Sequence, residues 1–150
     1  MIRRAVVKDV TQIQALINQF AKQELMLPRP LSEIYEHLRD FWVCESRRNQ
    51  IVGCCALHIT WQDLSEIRSL AVKKAWQGEG IGKKLINVAI QEAKKIGCKS
   101  IFTLTYIPDY FKRLGFRRIN KDKLPQKIWA ECINCPKFPD CKEVALIKKL

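Results

Sequence analysis

Ser65-Glu66-Ile67-Arg68-Ser69-Leu70-Ala71-Val72 leads through Lys73-Lys74-Ala75-Trp76 into Gln77-Gly78-Glu79-Gly80-Ile81-Gly82-Lys83-Lys84-Leu85. The first stretch reads as a β-strand. The second reads as a glycine-rich turn that opens an amphipathic helix. Ile81, Leu85, Val88, Ala89 and Ala93 share one helical face, and Gly97 ends the helix. Glycines let the backbone approach a ligand closely and leave the first amides of the helix pointing outward. Those amides and the helix dipole make an anion site, and Lys83 and Lys84 add positive charge beside it. A phosphate or pyrophosphate is the natural occupant. A dinucleotide fingerprint would need G-x-G-x-x-G after an N-terminal strand, and a P-loop would need G-x-x-x-x-G-K-[ST]. Neither fits glycines at 78, 80 and 82 in mid-chain.

Outward from this stretch, the pattern predicts one mixed α/β layer structure. Ile2 to Val7 reads as a short strand, with Asp9 capping a helix whose apolar face is Val10, Ile13, Leu16, Ile17 and Phe20. Pro28 and Pro30 break the chain before a shorter helix over 31–38, with Ser32 as its cap. Phe41 to Glu45 and Ile51 to Ile59 are β-rich runs joined at Asn49 and Gln50. Lys99 to Thr105 is a strand, Pro108 to Leu114 a short helix stopped by Gly115, and Glu143 to Lys148 a last strand. The fold class is α/β, with a single mixed, mostly antiparallel sheet flanked by helices. The 150 residues form one domain, with a Cys-rich loop or small subdomain at about 120–142.

The turn matches Gln-x-x-Gly-x-Gly at Gln77, Gly80 and Gly82, directly after Leu70-Ala71-Val72. Tyr110-Phe111-Lys112-Arg113-Leu114-Gly115-Phe116 follows at the expected separation. Together these resemble the two motifs of the GNAT acetyltransferase superfamily, over residues 1 to about 119. Gly53-Cys54-Cys55-Ala56-Leu57, Glu66 to Val72 and Phe102-Thr103-Leu104-Thr105 are similar to segments of bacterial N-acetylglutamate synthases, in the same order. Leu27-Pro28-Arg29-Pro30-Leu31 resembles the approach to the second helix of that domain. Without the amino-acid-kinase domain usually fused there, the chain looks like the short, stand-alone form.

The resemblance implies an acetyl-CoA-dependent N-acetyltransferase. It assigns the CoA pyrophosphate to the turn Gln77, Gly78, Glu79, Gly80, Ile81, Gly82 and Lys83. It assigns the pantetheine arm to the backbone of Leu70, Ala71 and Val72, with the N–H near Leu70 as oxyanion donor. The acceptor is a small-molecule amine, with the α-amine of L-glutamate as first choice and arginine biosynthesis as the setting. An amine is mostly protonated near neutral pH, so attack on a thioester needs a base. Glu66, on the strand before the CoA segment, fills that role. Arg29 and Arg68 are expected to hold the acceptor's carboxylates, because a guanidinium makes a planar two-point clamp. Arg68 shares strand parity with Glu66. Phe111 stands where many relatives carry a tyrosine that protonates the departing thiolate. Tyr106 and Tyr110 are the two substitutes.

Other features narrow the classes. The formal net charge is +12, from 27 Lys and Arg against 15 Asp and Glu, and favours anionic ligands. The basic residues are spread along the chain without a reader motif, which argues against nucleic acid. No apolar run approaches the roughly 20 residues of a membrane span, and the N-terminus lacks a signal peptide's apolar stretch. The expected location is the cytoplasm, without a membrane partner. A homodimer fits the superfamily, though no residue points to it. Seven cysteines, an odd number, argue for reduced thiols. Cys132, Cys135 and Cys141 have a spacing that can ligate zinc if Cys98, Asp140 or His58 supplies a fourth ligand. Cys44, Cys54, Cys55 and Cys98 read as core residues. His37 and His58 read as surface or structural. The alternatives are a GNAT enzyme for another amine or for a protein, and a non-catalytic CoA- or nucleic-acid-binding module.

Overall fold

A computed structural model of the chain describes residues 1–125 and 143–150. The strands are β1 (Ile2–Arg4), β2 (Phe41–Glu45), β3 (Ile51–Trp61), β4 (Leu64–Val72), β5 (Ser100–Thr105), β6 (Arg117–Arg118) and β7 (Val144–Lys149). The α-helices are α1 (Val10–Ala21), α2 (Leu31–Glu36), α3 (Ile81–Lys95) and α4 (Pro108–Arg113). The strands form one sheet in the order β1-β2-β3-β4-β5-β7-β6. Among the described strands only β4 and β5 pair in parallel, and α3 makes the crossover that a parallel pair needs. The expected mixed, mostly antiparallel sheet is therefore present.

The period-two alternation of the strands separates two cores. On one face Cys55, Leu57, Ile67 and Ile101 pack on Leu85, Ile86, Ala89 and Ala93 of α3 and on Phe111 of α4. On the other, Val43, Cys54, Ala56 and Ala71 pack on Val10, Ile13, Leu16 and Ile17 of α1 and on Ile34 of α2. A smaller cluster joins Leu64, Phe102, Leu124 and Ala145 on the second face. At Gly53 the sheet meets α3 so closely that a Cβ would lie 3.1 Å from Ile81 and 3.2 Å from Leu85. Among the described residues, no helix is long and apolar enough to cross a membrane.

Several local expectations change. The first strand stops at Arg4, and Val7–Asp9 form a 3₁₀ turn. Asp9 is helical and makes no side-chain cap of α1. It is buried, accepts the Val6 N–H at 2.8 Å, and receives two bonds from Arg3, at 2.8 and 3.0 Å. Arg3 also reaches Glu45 of β2. A buried carboxylate with a guanidinium on one side and an amide on the other is a fastener between β1, β2 and α1, and the propensity for capping yields to it. Ser32 lies inside the first turn of α2, whose N-cap is Pro30. Val88 is only half-buried, whereas Ile86 and Ile90 are buried. The two-residue β6 is too short to show in a sequence pattern. The Cys-rich segment and its proposed zinc ligands Cys132, Cys135 and Cys141 fall outside the described residues.

Arg3 holds the Asp9 carboxyl below its usual range, against burial that pushes it up. A lowered folded-state value contributes stability that is present above the unfolded-state value and is lost as pH falls through the folded one. Asp9→Asn should therefore cost about 1–3 kcal/mol at pH 7. The gap to the wild type should narrow only in the acid range, below about pH 4. Urea denaturation at pH 7 and pH 3 measures both, and an equal gap at the two pH values would refute the assignment.

Candidate active site

Strand β4 does not run straight. Ala56 pairs with Arg68 and Cys54 with Ala71, so Cys55 faces both Ser69 and Leu70 across a bulge. Ser69 has φ +54°, a left-handed conformation that is costly for a non-glycine residue and typical of functional positions. The extra residue inverts the alternation. Glu66 and Arg68 lie on the α1–α2 face, and beyond the bulge Ala71 takes that face while Leu70 and Val72 turn toward α3.

The β4–β5 ladder runs only over Leu64–Ile67 and Ser100–Thr103. Where it stops, Thr103 Oγ1 donates to the Ile67 carbonyl at 3.1 Å. On the other side of β4, the Cys54 thiol donates to the Ser69 carbonyl at 3.3 Å. Arg68 to Val72 thus continue past the last β5 pairing and present a strand edge beside a gap in the sheet. The sequence showed the strand and not the bulge, because Ser69 carries no turn signature.

After Val72, a 3₁₀ turn over Lys74–Trp76 brings the chain to Gln77, whose side-chain amide donates to the Val72 carbonyl at 3.0 Å. Gly78 and Gly80 have φ +84° and +81°, and residues 77–80 are exposed. Gly80 is the N-cap of α3, so the first amides of that helix face out beside exposed Lys83 and Lys84. Gly82 is needed for a different reason. A Cβ there would stand 2.5 Å from the Tyr110 hydroxyl. Tyr110 therefore lies across the first turn of α3, half-buried, and burial raises its phenol above the ordinary value. It keeps its proton near neutral pH. Phe111, by contrast, is buried edge-on to Phe116 in the α3-side core. Tyr106 follows the end of β5.

On the α1–α2 face, Arg29, Glu33, Ile34, His37, Asp40, Phe41, Ala56, His58, Arg68 and Ser69 line one cleft. The two arginines expected to share a substrate do share this space. Each is matched by a carboxylate: Arg29 Nη1 to Glu33 at 2.7 Å, and Arg68 Nε to Glu66 at 2.6 Å. Glu66 is 6 % exposed and Arg68 half-buried, so their parity on β4 places them together as expected. His58 Nδ1 lies 2.9 Å from Asp40 Oδ2, and the His37 ring stands edge-on to His58. Sequence reasoning missed this group. Asp40 and His58 lie 18 positions apart on different elements, and no spacing rule connects them.

The four described cysteines are unpaired with one another and buried. Burial pushes Cys54 up to about 12 and Cys55 higher still. Such thiols are poor nucleophiles at neutral pH.

The model of the acetyltransferase (GNAT) domain matches residues 37–118, which includes the bulged strand, the glycine turn and α4. An uncharacterized N-acetyltransferase of Chlorobaculum tepidum is 39 % identical over 149 residues, covering 99 % of this chain and 96 % of that protein. An amino-acid acetyltransferase of Mycobacterium tuberculosis is 35 % identical over 133 residues, covering 87 % of this chain and 76 % of that one. Among solved structures, N-acetylglutamate synthase from Neisseria gonorrhoeae, complexed with coenzyme A and N-acetyl-glutamate, superposes with a TM-score of 0.92 at 28 % identity. The match covers all of this chain and 35 % of that one. A Mycobacterium tuberculosis protein in complex with CoA superposes with a TM-score of 0.85 at 30 % identity and 99 % coverage of its chain. With the fold, the bulge, the glycine turn and these relatives in agreement, the chain belongs to the GNAT acetyltransferase family and is an N-acetyltransferase.

Proposed function

We infer that the protein moves an acetyl group from acetyl-CoA to the α-amine of an amino acid, L-glutamate first. The observation that carries this reading is the meeting of Arg29 and Arg68 in one cleft beside the bulged end of β4. Two guanidiniums fit an acceptor with carboxylates better than a polyamine or an aminoglycoside. The M. tuberculosis relative named as an amino-acid acetyltransferase and the synthase solved with N-acetyl-glutamate support it. Arginine biosynthesis is the corresponding setting, and the cytoplasm the corresponding compartment.

In this reading the CoA pyrophosphate rests on the Gln77–Lys83 turn and the first amides of α3. The pantetheine arm pairs along Leu70, Ala71 and Val72, in the gap left where the β4–β5 ladder stops. The thioester carbonyl then lies near the bulge, with the Leu70 N–H as donor to the oxyanion. The acceptor's carboxylates join or replace Glu33 and Glu66 on the two arginines. The amine attacks the carbonyl, the N–C bond forms and the C–S bond breaks. Glu66, on the same face, takes a proton from the nitrogen. The thiolate leaves and is protonated by Tyr110, the tyrosine whose hydroxyl lies on the first turn of α3, or by Tyr106.

A free-thiol assay with acetyl-CoA and a panel of glutamate, glutamine, aspartate, spermidine and a lysine peptide tests the acceptor. Glutamate-dependent CoA release is expected. A preference for spermidine or for the peptide would overturn the two-arginine argument. Glu66→Gln should lower turnover by about 10²-fold while acetyl-CoA affinity stays within about twofold. Arg29→Ala and Arg68→Ala should each raise KM for glutamate about tenfold or more, because a charged hydrogen bond is worth about 1.5–3 kcal/mol.

The glycine turn gives an independent check. Gly82→Ala should push Tyr110 aside and weaken acetyl-CoA binding by calorimetry. Tyr110→Phe in the same chain should restore the packing, since the ring carbon that carries the hydroxyl stands at an ordinary 3.5 Å. Equal binding by Gly82→Ala and the wild type would place the CoA elsewhere.

A further inference from the structure

The nitrogen of an amino acid must lose two protons during acetyl transfer. It arrives as an ammonium group, which has no lone pair, so one proton leaves before attack. A second leaves once the N–C bond has formed. The balance is ammonium plus thioester giving amide, thiol and one proton. One of the two protons ends on the departing sulfur, and the other must pass to water through an acceptor in the cleft. Glu66 is expected from the sequence to activate the amine; with two losses to serve, this single carboxylate takes the second here, and Arg68 already holds one of its oxygens at 2.6 Å.

We propose that His58, oriented by Asp40, removes the first proton and so generates the nucleophile; this rests on the acetyl-transfer reading of the same cleft. An ionised carboxylate only accepts hydrogen bonds, so His58 Nδ1 carries the hydrogen and donates it to Asp40 Oδ2 at 2.9 Å. That fixes the tautomer. Nε2 keeps its lone pair, and the side chain, 15 % exposed, lines the cleft. Imidazole is the side chain whose ordinary range suits proton exchange near neutral pH. A carboxylate behind the ring steadies the imidazolium once it forms, which is the orienting role an aspartate plays behind a basic histidine.

Position supports the assignment. His58 and Glu66 are cross-strand partners on β3 and β4, so both side chains rise from the same face of the sheet. The charged and titratable groups around His58 are Asp40 from the 3₁₀ turn before β2, His37 from the end of α2, Arg29 and Glu33 from the α2 side, and Glu66 and Arg68 from β4. The nearest, Asp40, is negative, and the two guanidiniums are each paired with a carboxylate. A proton arriving on His58 is therefore met by a counter-charge in contact.

His37, Asp40 and His58 also lie close enough together to suggest a metal. The contact geometry favours the proton role. At 2.9 Å the His58–Asp40 pair is at hydrogen-bond length, the contact that an oriented base requires.

The test compares wild type, His58→Gln and Asp40→Asn over pH 6 to 9.5, with saturating acetyl-CoA and glutamate as acceptor. Melting temperature and acetyl-CoA affinity are measured on each. His58→Gln should lower kcat/KM for glutamate by about 100-fold at pH 7. Most of the loss should vanish near pH 9, where the free amine is abundant. The wild-type to His58→Gln ratio should also shrink for glutamate α-amide, whose ammonium group is the stronger acid. Asp40→Asn should move the acidic limb of the wild-type profile while acetyl-CoA affinity holds. A His58→Gln enzyme within twofold of wild type at pH 7 overturns the proposal. So does a loss of equal factor at every pH and with both acceptors, the behaviour of a merely structural residue. So does activity abolished by a chelator and restored by zinc with His58 intact. A wild type that transfers to no amino acid would remove the acetyl-transfer reading itself, a result distinct from any of these.

Discussion

The bulge at Ser69 and Leu70 is the constraint from which the site follows. One extra residue in β4 changes which side chains face which helix layer, and beyond Ile67 the strand parts from β5. A continuous ladder there would close the gap and bury the strand edge that a ligand can join. The left-handed conformation at Ser69 is unfavourable in isolation, so the surroundings must hold it. They do so with hydrogen bonds from side chains that sequence reading treats as ordinary: the Cys54 thiol on the Ser69 carbonyl and the Thr103 hydroxyl on the Ile67 carbonyl. The two helix layers hold the strand from either side, with Ala71 against α1 and Leu70 and Val72 against α3.

The two faces of the sheet divide the chemistry. On the α3 side, backbone amides, glycines with positive φ and Tyr110 converge on the start of one helix. On the α1–α2 side, charged groups stand in matched pairs around a cleft: Arg29 with Glu33, Arg68 with Glu66, His58 with Asp40. Burying such pairs removes them from water at a cost, and unpaired they would be strongly destabilising. Pairing lets the cleft keep two guanidiniums in place before a ligand enters.

Much of this was legible in the residues, and the exceptions have a common cause. The α3 helix, its glycine turn and the Gly97 stop are local patterns, and local rules found them. The shared face of Glu66 and Arg68 followed from strand parity alone. The bulge, the Asp40–His58 pair and the recruitment of Asp9 by Arg3 all depend on partners far along the chain or on other elements. Asp9 shows the competition directly. Its position suits a helix cap, yet the guanidinium six residues back and the Val6 amide claim both its oxygens. Phe111, a departure from the family motif, lies in the core, and its neighbour Tyr110 lies against the first turn of α3.

The borders of the described sheet carry a last consequence. They are β1, three residues long with two arginines, and β6, only Arg117 and Arg118. Arg4 is further occupied, lying over the Trp42 ring and paired with Glu92 of α3. Short, positively charged borders are poor templates for a further strand, from this chain or another. The eleven-residue β3 lies between β2 and β4, away from these borders. At these described borders a second copy would find few backbone groups to pair with.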